Sequence, residues 1–192
     1  MTTALLLVGP PAAGKSTAAA RLARLLAPQD VRLLQLDTVH RALCPPGVEG
    51  RGYHYERGML VLDERPRLVA EALEAFDAAI AAEAEGGGVV LVEFSSSDYR
   101  ATLAALPSLG RYETYALYVT APRPMLYRRN SRRDEAIRVP DEFLTAAAEA
   151  DPAAVAAHVE QGRYAEVVNA AEPAAEPLDA RLGRCLDRWR LR

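Results

Sequence analysis

Ala4-Leu5-Leu6-Leu7-Val8-Gly9-Pro10-Pro11-Ala12-Ala13-Gly14-Lys15-Ser16-Thr17 is the stretch on which the fold turns. Its first five residues form an unbroken apolar run, the length and texture of a strand buried on both faces. Gly9–Ser16 then matches G-x-x-x-x-G-K-[ST] at every fixed position. The spacing follows from what phosphate binding demands. Glycines let the backbone curl until successive N–H groups point inward at anionic oxygens. Lys15 adds a mobile positive charge, and the Ser16 hydroxyl is a hard oxygen suited to Mg²⁺. From Lys15 to Leu26 the chain reads as a helix, with Leu22, Leu25 and Leu26 on one face and Pro28 as a stop. Its positive end lies at the same anions. A strand before the loop and a helix after it are the context the loop requires. Gly9, Pro10, Pro11, Ala12, Ala13, Gly14, Lys15, Ser16 and Thr17 are therefore expected to hold a nucleoside triphosphate, ATP or GTP, with magnesium.

Working outward, the chain alternates apolar runs with helical segments. Val31–Leu36 reads as a second strand, followed by Asp37. Cys44–Gly58, rich in glycine and proline, reads as a loop. Asp63–Glu85 reads as a long alanine-rich helix closed by Gly86-Gly87-Gly88. Val89–Phe94 is a third buried strand, Tyr99–Leu106 a short helix and Tyr112–Val119 a fourth strand. Pro122 and Pro124 open an arginine-bearing helix, Val139-Pro140 punctuates, and another alanine-rich helix follows. Tyr164–Asn169 is a fifth strand and Leu178–Arg190 a last helix. Alternation of this kind predicts an α/β fold, a parallel sheet with helices on both faces.

The bulk numbers narrow the classes. A chain of 192 residues can bury one sizeable core, so a single domain over residues 1–192 is expected. A net charge of −3 gives no global attraction to nucleic acid. Cys44 and Cys185 lie too far apart in sequence for a CxxC pair and read as reduced thiols. No run approaches the roughly 20 apolar residues that span a bilayer, and no secretory signal stands at the start. A cytoplasmic protein, with no membrane partner and monomeric or homodimeric, is the expectation.

Ligands of open α/β sheets gather at the carboxyl ends of the strands. Asp37 follows the second strand, where a carboxylate could accept a proton from an attacking hydroxyl or hold it in line. It could also cap the turn Thr38–Leu43. Glu93 ends the third strand inside an apolar run, a costly position unless it is paired or faces a cavity. It is a candidate for water-mediated magnesium binding, for orienting the acceptor, or for the base in place of Asp37. Ser95 follows at the same rim. Arg41, Tyr53 and Arg57 are candidates for the acceptor pocket, although the aromatic residues of that stretch could equally pack a core edge. Arg128, Arg129, Arg132 and Arg133 stand at i, i+1, i+4 and i+5, two helical pairs. Phosphates are their natural partner, because guanidinium matches phosphate oxygens two at a time.

With these residues in place, the chain resembles the small P-loop kinases of the polynucleotide-kinase-like, chloramphenicol-phosphotransferase-like and zeta-toxin-like group. Leu36-Asp37-Thr38-Val39 is similar to the family stretch whose aspartate is the general base. The resemblance implies a three-layer fold and a five-stranded sheet of order 2-3-1-4-5. It also implies a lid around 123–140 and an acceptor-binding insertion around 38–85. It makes Lys15, Asp37, Arg128 and Arg132 the catalytic set, with Arg129 and Arg133 as the alternative lid pair. Val139-Pro140 resembles the step after the lid, and Asn169, in Val167-Val168-Asn169-Ala170, sits where the family's adenine-contacting loop begins. Two departures concern the acceptor: Arg41 stands farther from Asp37 than in polynucleotide kinases, and Glu93-Phe94-Ser95 is not the Asp-Gly-x-Pro-Arg of adenylate kinases. The expected reaction is ATP·Mg-dependent transfer of the γ-phosphate to a hydroxyl of a small molecule or a nucleic-acid end. The alternatives are a nucleoside monophosphate kinase and an NTP-binding switch or ATPase acting through a partner. No guanine-reading N-K-x-D motif supports the switch.

Overall fold

Strand β1 (Thr3–Val8) runs through the middle of a parallel sheet, and all six of its residues are buried. Successive side chains of a strand point to opposite faces. Leu5 and Leu7 accordingly enter one hydrophobic core, and Ala4, Leu6 and Val8 the other. The structure is a computed structural model that describes residues 2–48, 51–56, 59–134, 138–169 and 176–192. After β1 come α1 (Lys15–Leu25), β2 (Val31–Gln35), α2 (Leu36–Leu43), β3 (Tyr53–Glu56), β4 (Met59–Leu62) and α3 (Arg65–Glu83). Then follow β5 (Val89–Phe94), α4 (Tyr99–Ala104), a 3₁₀ turn (Pro107–Arg111) and β6 (Glu113–Thr120). The chain continues through α5 (Arg123–Ser131), α6 (Asp141–Glu149), α7 (Ala153–Ala156), β7 (Tyr164–Val168) and α8 (Leu178–Trp189).

The sheet has five strands in the order β2-β5-β1-β6-β7, all pairs parallel. Counting only these five, the order is 2-3-1-4-5. The numbering shifts because β3 and β4 pair with each other as a separate antiparallel hairpin. Helices cover both faces. Leu22, Leu126, Leu144, Leu182, Leu186 and Trp189 fill one core, so α1, α5, α6 and α8 lie on that side. Leu36, Phe76, Ile80, Tyr99 and Leu103 fill the other, from α2, α3 and α4. In α8 the buried Leu182, Leu186 and Trp189 recur at the spacing of one helical face. Among the described residues no helix is long and apolar enough to cross a membrane.

The hairpin corrects the expectation of a loop over Cys44–Gly58. Tyr53-His54-Tyr55-Glu56 and Met59–Leu62 carry strand-favouring aromatic and branched residues, but the glycines and prolines before them dominate the sequence signal. Tyr53 and Tyr55 donate their hydroxyls to Pro45 O (2.9 Å) and Cys44 O (2.8 Å). With Cys44 and Leu68, Tyr53 forms a small core of its own. Helix α3 starts later than Asp63, because the N–H groups of Asp63 and Glu64 both turn to Gly52 O (2.8 Å each). Asp37 is not the N-cap of its helix. Gln35 occupies that place in extended conformation, and Asp37 lies in the first turn of α2.

Candidate active site

At the carboxyl end of β1 the loop 9–14 adopts the backbone that phosphate cradles need. Gly9 has φ 142°, and a Cβ there would lie 1.9 Å from Val119 O. Ala12 (φ 62°) and Gly14 (φ 97°) are left-handed, and alternation of hands turns neighbouring N–H groups toward one centre. Helix α1 begins at Lys15 with no side-chain cap, which leaves its positive end at the loop.

Lys15 is 7% exposed. Its ammonium donates to Gly9 O (3.1 Å), Pro10 O (3.0 Å) and Ser95 Oγ (2.6 Å). Burial pulls its pKa down to about 8, against the nearby charges of Glu93 and Asp37, which favour the ammonium, while Arg133 opposes it. Glu93 is buried and both carboxylate oxygens accept hydrogen bonds. Ser16 Oγ donates to Oε1 and Gln35 Nε2 to Oε2, each at 2.8 Å. Those bonds offset the cost of burying a charge. The Ser16 hydroxyl and Glu93 carboxylate are adjacent hard oxygens, a donor set that fits Mg²⁺ completed by phosphate and water. Among the described residues no group of three or more acidic, histidine or cysteine side chains forms a self-sufficient metal cage.

Asp37 is exposed at the rim. Its charge reaches Lys15, Arg133 and His40. Arg133 is half-buried; burial disfavours its charge, Asp37 and Glu93 favour it, and Arg41 opposes it. Lys15, Asp37, Glu93, Arg41 and Arg133, from four separate segments, are thus close enough at the strand ends to act on one another electrostatically. The His40 imidazole, one helical turn from Asp37, is half-buried, and burial lowers its pKa against the charge of Asp37, which favours the imidazolium.

Helix α5 is oriented by Leu126 and Asn130, both buried and one turn apart. The Asn130 amide donates to Val139 O (2.9 Å) and accepts from Val139 N (3.3 Å), tying the helix to the segment before α6. This orientation leaves Arg128 and Arg132 exposed, with Arg129 half-buried against the loop and Arg133 half-buried near Asp37 and Glu93. The inward pair is therefore the alternative one, not Arg128 and Arg132. Arg129 donates to Ala12 O and Ala13 O (3.4 Å each) and to Asn169 O (3.2 Å). Asn169 itself donates from Nδ2 to Ala13 O (2.8 Å).

Of the acceptor candidates, Ser95 lies on Lys15 and Arg41 is exposed near Arg133 and Tyr55. Tyr53 is a correction: at 4% exposure with its hydroxyl bonded to Pro45 O, it packs the hairpin instead of facing a ligand. Arg57 lies outside the described residues, as does Ala170. Gln35, His40 and Asn130 went unnoticed in the sequence. None of the three carries a local motif; Gln35 is simply the polar last residue of β2, and only its pairing with Glu93 on the neighbouring strand gives it a role.

The profile of the AAA domain family AAA_33 matches residues 5–167. No curated protein matches the chain in sequence. Among solved structures, a sugar kinase from Janibacter sp. HTCC2649 superposes with TM-score 0.62 at 16% identity, covering 100% of this chain and 96% of that one. Shikimate kinase from Acinetobacter baumannii, in complex with shikimate, gives 0.61 at 15% identity, covering 100% and 94%. The tunicamycin resistance protein of Deinococcus radiodurans gives 0.57 at 13% identity, covering 99% and 97%. At such identities the likeness is one of fold.

Proposed function

The chain belongs to the AAA_33 family of P-loop kinases, and from that premise we propose that it transfers the γ-phosphate of ATP to a hydroxyl, in the cytoplasm. The observation that carries this is the Lys15 ammonium held in the loop by Gly9 O, Pro10 O and Ser95 Oγ, with the Asp37 carboxylate in the first turn of α2 near enough to favour its charge. Lys15 and the inward-facing N–H groups would hold the β- and γ-phosphates. Mg²⁺, held by Ser16 and by Glu93 through water, would neutralise charge developing on the phosphates. Asp37 takes the acceptor proton as the acceptor oxygen bonds to phosphorus. The bond from phosphorus to the β,γ-bridging oxygen breaks, and ADP leaves. Glu93 is the poorer base, since both its oxygens already accept hydrogen bonds. Arg133 would balance charge on the transferring group.

Asp37→Asn tests the assignment. The amide keeps the shape but cannot take a proton, and positioned bases contribute roughly 10²–10⁴-fold. With labelled ATP and a panel of sugars, nucleosides, nucleic-acid ends and hydroxyl-bearing antibiotics, the variant should lose transfer in that range. Its ATP affinity by calorimetry should stay near wild type. Wild-type transfer by the variant would sink the base role and move it to Glu93.

A second reading is favoured by Arg41 and Arg133, two guanidiniums beside Asp37: a nucleotide whose phosphate is the acceptor. A phosphate monoester is mostly dianionic at neutral pH, with a second pKa of about 6. It therefore needs no base, and Asp37→Asn would leave its phosphorylation largely intact.

A further inference from the structure

Asn169 stands where a contact to the nucleotide base is expected, yet its side chain is spent elsewhere. We propose that Asn169, with Arg129, is a positioning residue that holds the Ala13–Gly14 peptide with its N–H toward the phosphates. The proposal rests on reading Gly9–Ser16 as the triphosphate site. In a trans peptide the carbonyl and the following N–H point in opposite directions. Ala13 O accepts from Asn169 Nδ2 at 2.8 Å and from Arg129 Nη1 at 3.4 Å. The Gly14 N–H, on the other side of the same plane, is thereby aimed away from both donors. Arg129 adds a bond to Ala12 O at 3.4 Å, so the preceding peptide is held as well.

The clamp is anchored to the sheet. Asn169 N donates to Thr120 O at 2.6 Å, fixing the residue at the ends of β6 and β7. Arg129 Nη2 donates to Asn169 O at 3.2 Å, so the two donors hold each other as well as the loop. The contact leaves no spare room: a Cβ on Gly14 would lie 2.1 Å from Asn169 Nδ2. Glycine at this place therefore serves the left-handed backbone and the approach of the amide together. The need for a clamp is local. Ala12 is left-handed (φ 62°), a conformation unfavourable for any residue with a Cβ. A loop holding such a residue relaxes by turning a neighbouring peptide, which would present a carbonyl to the phosphates.

Magnesium tripolyphosphate is the probe that separates this role from a base contact, because it carries the phosphates and no base. In Asn169→Ala its affinity by calorimetry should fall roughly 3- to 10-fold, the size of one lost hydrogen bond. ATP and GTP should weaken by the same factor, leaving their ratio unchanged. Asn169→Asp, which sets a carboxylate against Ala13 O, should lose more. Arg129→Lys keeps the charge but loses the two-pronged fork, and should follow Asn169→Ala in direction; it carries the test if Asn169→Asp fails to fold. Unchanged tripolyphosphate affinity in folded Asn169→Ala would overturn the proposal, and a shifted ATP-to-GTP ratio beside it would make Asn169 a base contact. Failure of the wild-type protein to bind either tripolyphosphate or ATP would instead overturn the triphosphate reading itself.

Discussion

Lys15 holds a charge in a place where burial works against it. Its folded pKa of about 8 lies below the ordinary lysine value, with burial as the largest cause. The unfolded chain therefore binds more protons than the folded one between pH 8 and the ordinary value of 10.5, and stability contributed by this group rises with pH across that window. Function should run the other way. As pH passes 8 the free protein loses the ammonium that meets the phosphates, so kcat/KM for ATP should fall. The same fall in kcat should appear at higher pH, because bound phosphates favour the ammonium. A kcat/KM profile flat from pH 7 to 9.5 would count against Lys15 as the phosphate-facing charge. Lys15→Ala should abolish transfer while the protein stays folded, and turnover at the wild-type rate in a folded variant would reject the assignment. Lys15, Ser16 and the glycines were legible in the sequence because loop chemistry is local: spacing alone states what they do. Gln35, Asn130 and His40 were not. Their partners stand far along the chain or arise from helix packing, as with Gln35 and Glu93 on neighbouring strands.

Helix α5 shows why a cluster of like residues needs an orientation before it has a meaning. Four arginines in one helical segment were readable, but which pair faces inward was not. That choice is made by Leu126 and Asn130, whose burial sets the rotation of the helix. The consequence is a paired test. Arg129→Ala with Arg133→Ala should raise the KM for ATP and lower kcat, by roughly tenfold or more in kcat/KM for two charge-assisted contacts. Arg128→Ala with Arg132→Ala, on the exposed side, should change either constant by less than about threefold and move the melting temperature little, since exposed charges contribute little to folding. A larger loss from the outward pair would mean that the helix turns over when nucleotide binds. The hairpin β3–β4 was missed for a related reason. Its strands are short, and two tyrosines in alternation are a weaker signal than the glycines and prolines beside them. The inner strands β1, β5 and β6, by contrast, announced themselves as largely apolar runs, and the edge strands β2 and β7 by their place in the alternation of strand and helix.

The whole molecule is held as two cores on either side of one sheet, with the site at the strand ends where β1, β2, β5 and β6 all stop. Ligand binding there should stabilise the entire fold. At a hundred times its dissociation constant a ligand adds about 2.7 kcal/mol. For a chain of this size that is roughly 5–10 °C in melting temperature. Magnesium ATP should give that shift in a thermal melt, and Lys15→Ala should give much less; no shift in the wild-type protein at saturating magnesium ATP would argue against the loop as its binding place. The hairpin stands apart from this arrangement. Its buried Tyr53 closes on Cys44 at the end of α2 and Leu68 of α3, and not on the sheet. Substitutions at its exposed positions, such as His54 and Glu56, should therefore cost the two main cores little. Heritable change on the outer face of that hairpin can accumulate while the sheet, its two cores and the loop at the end of β1 stay as they are.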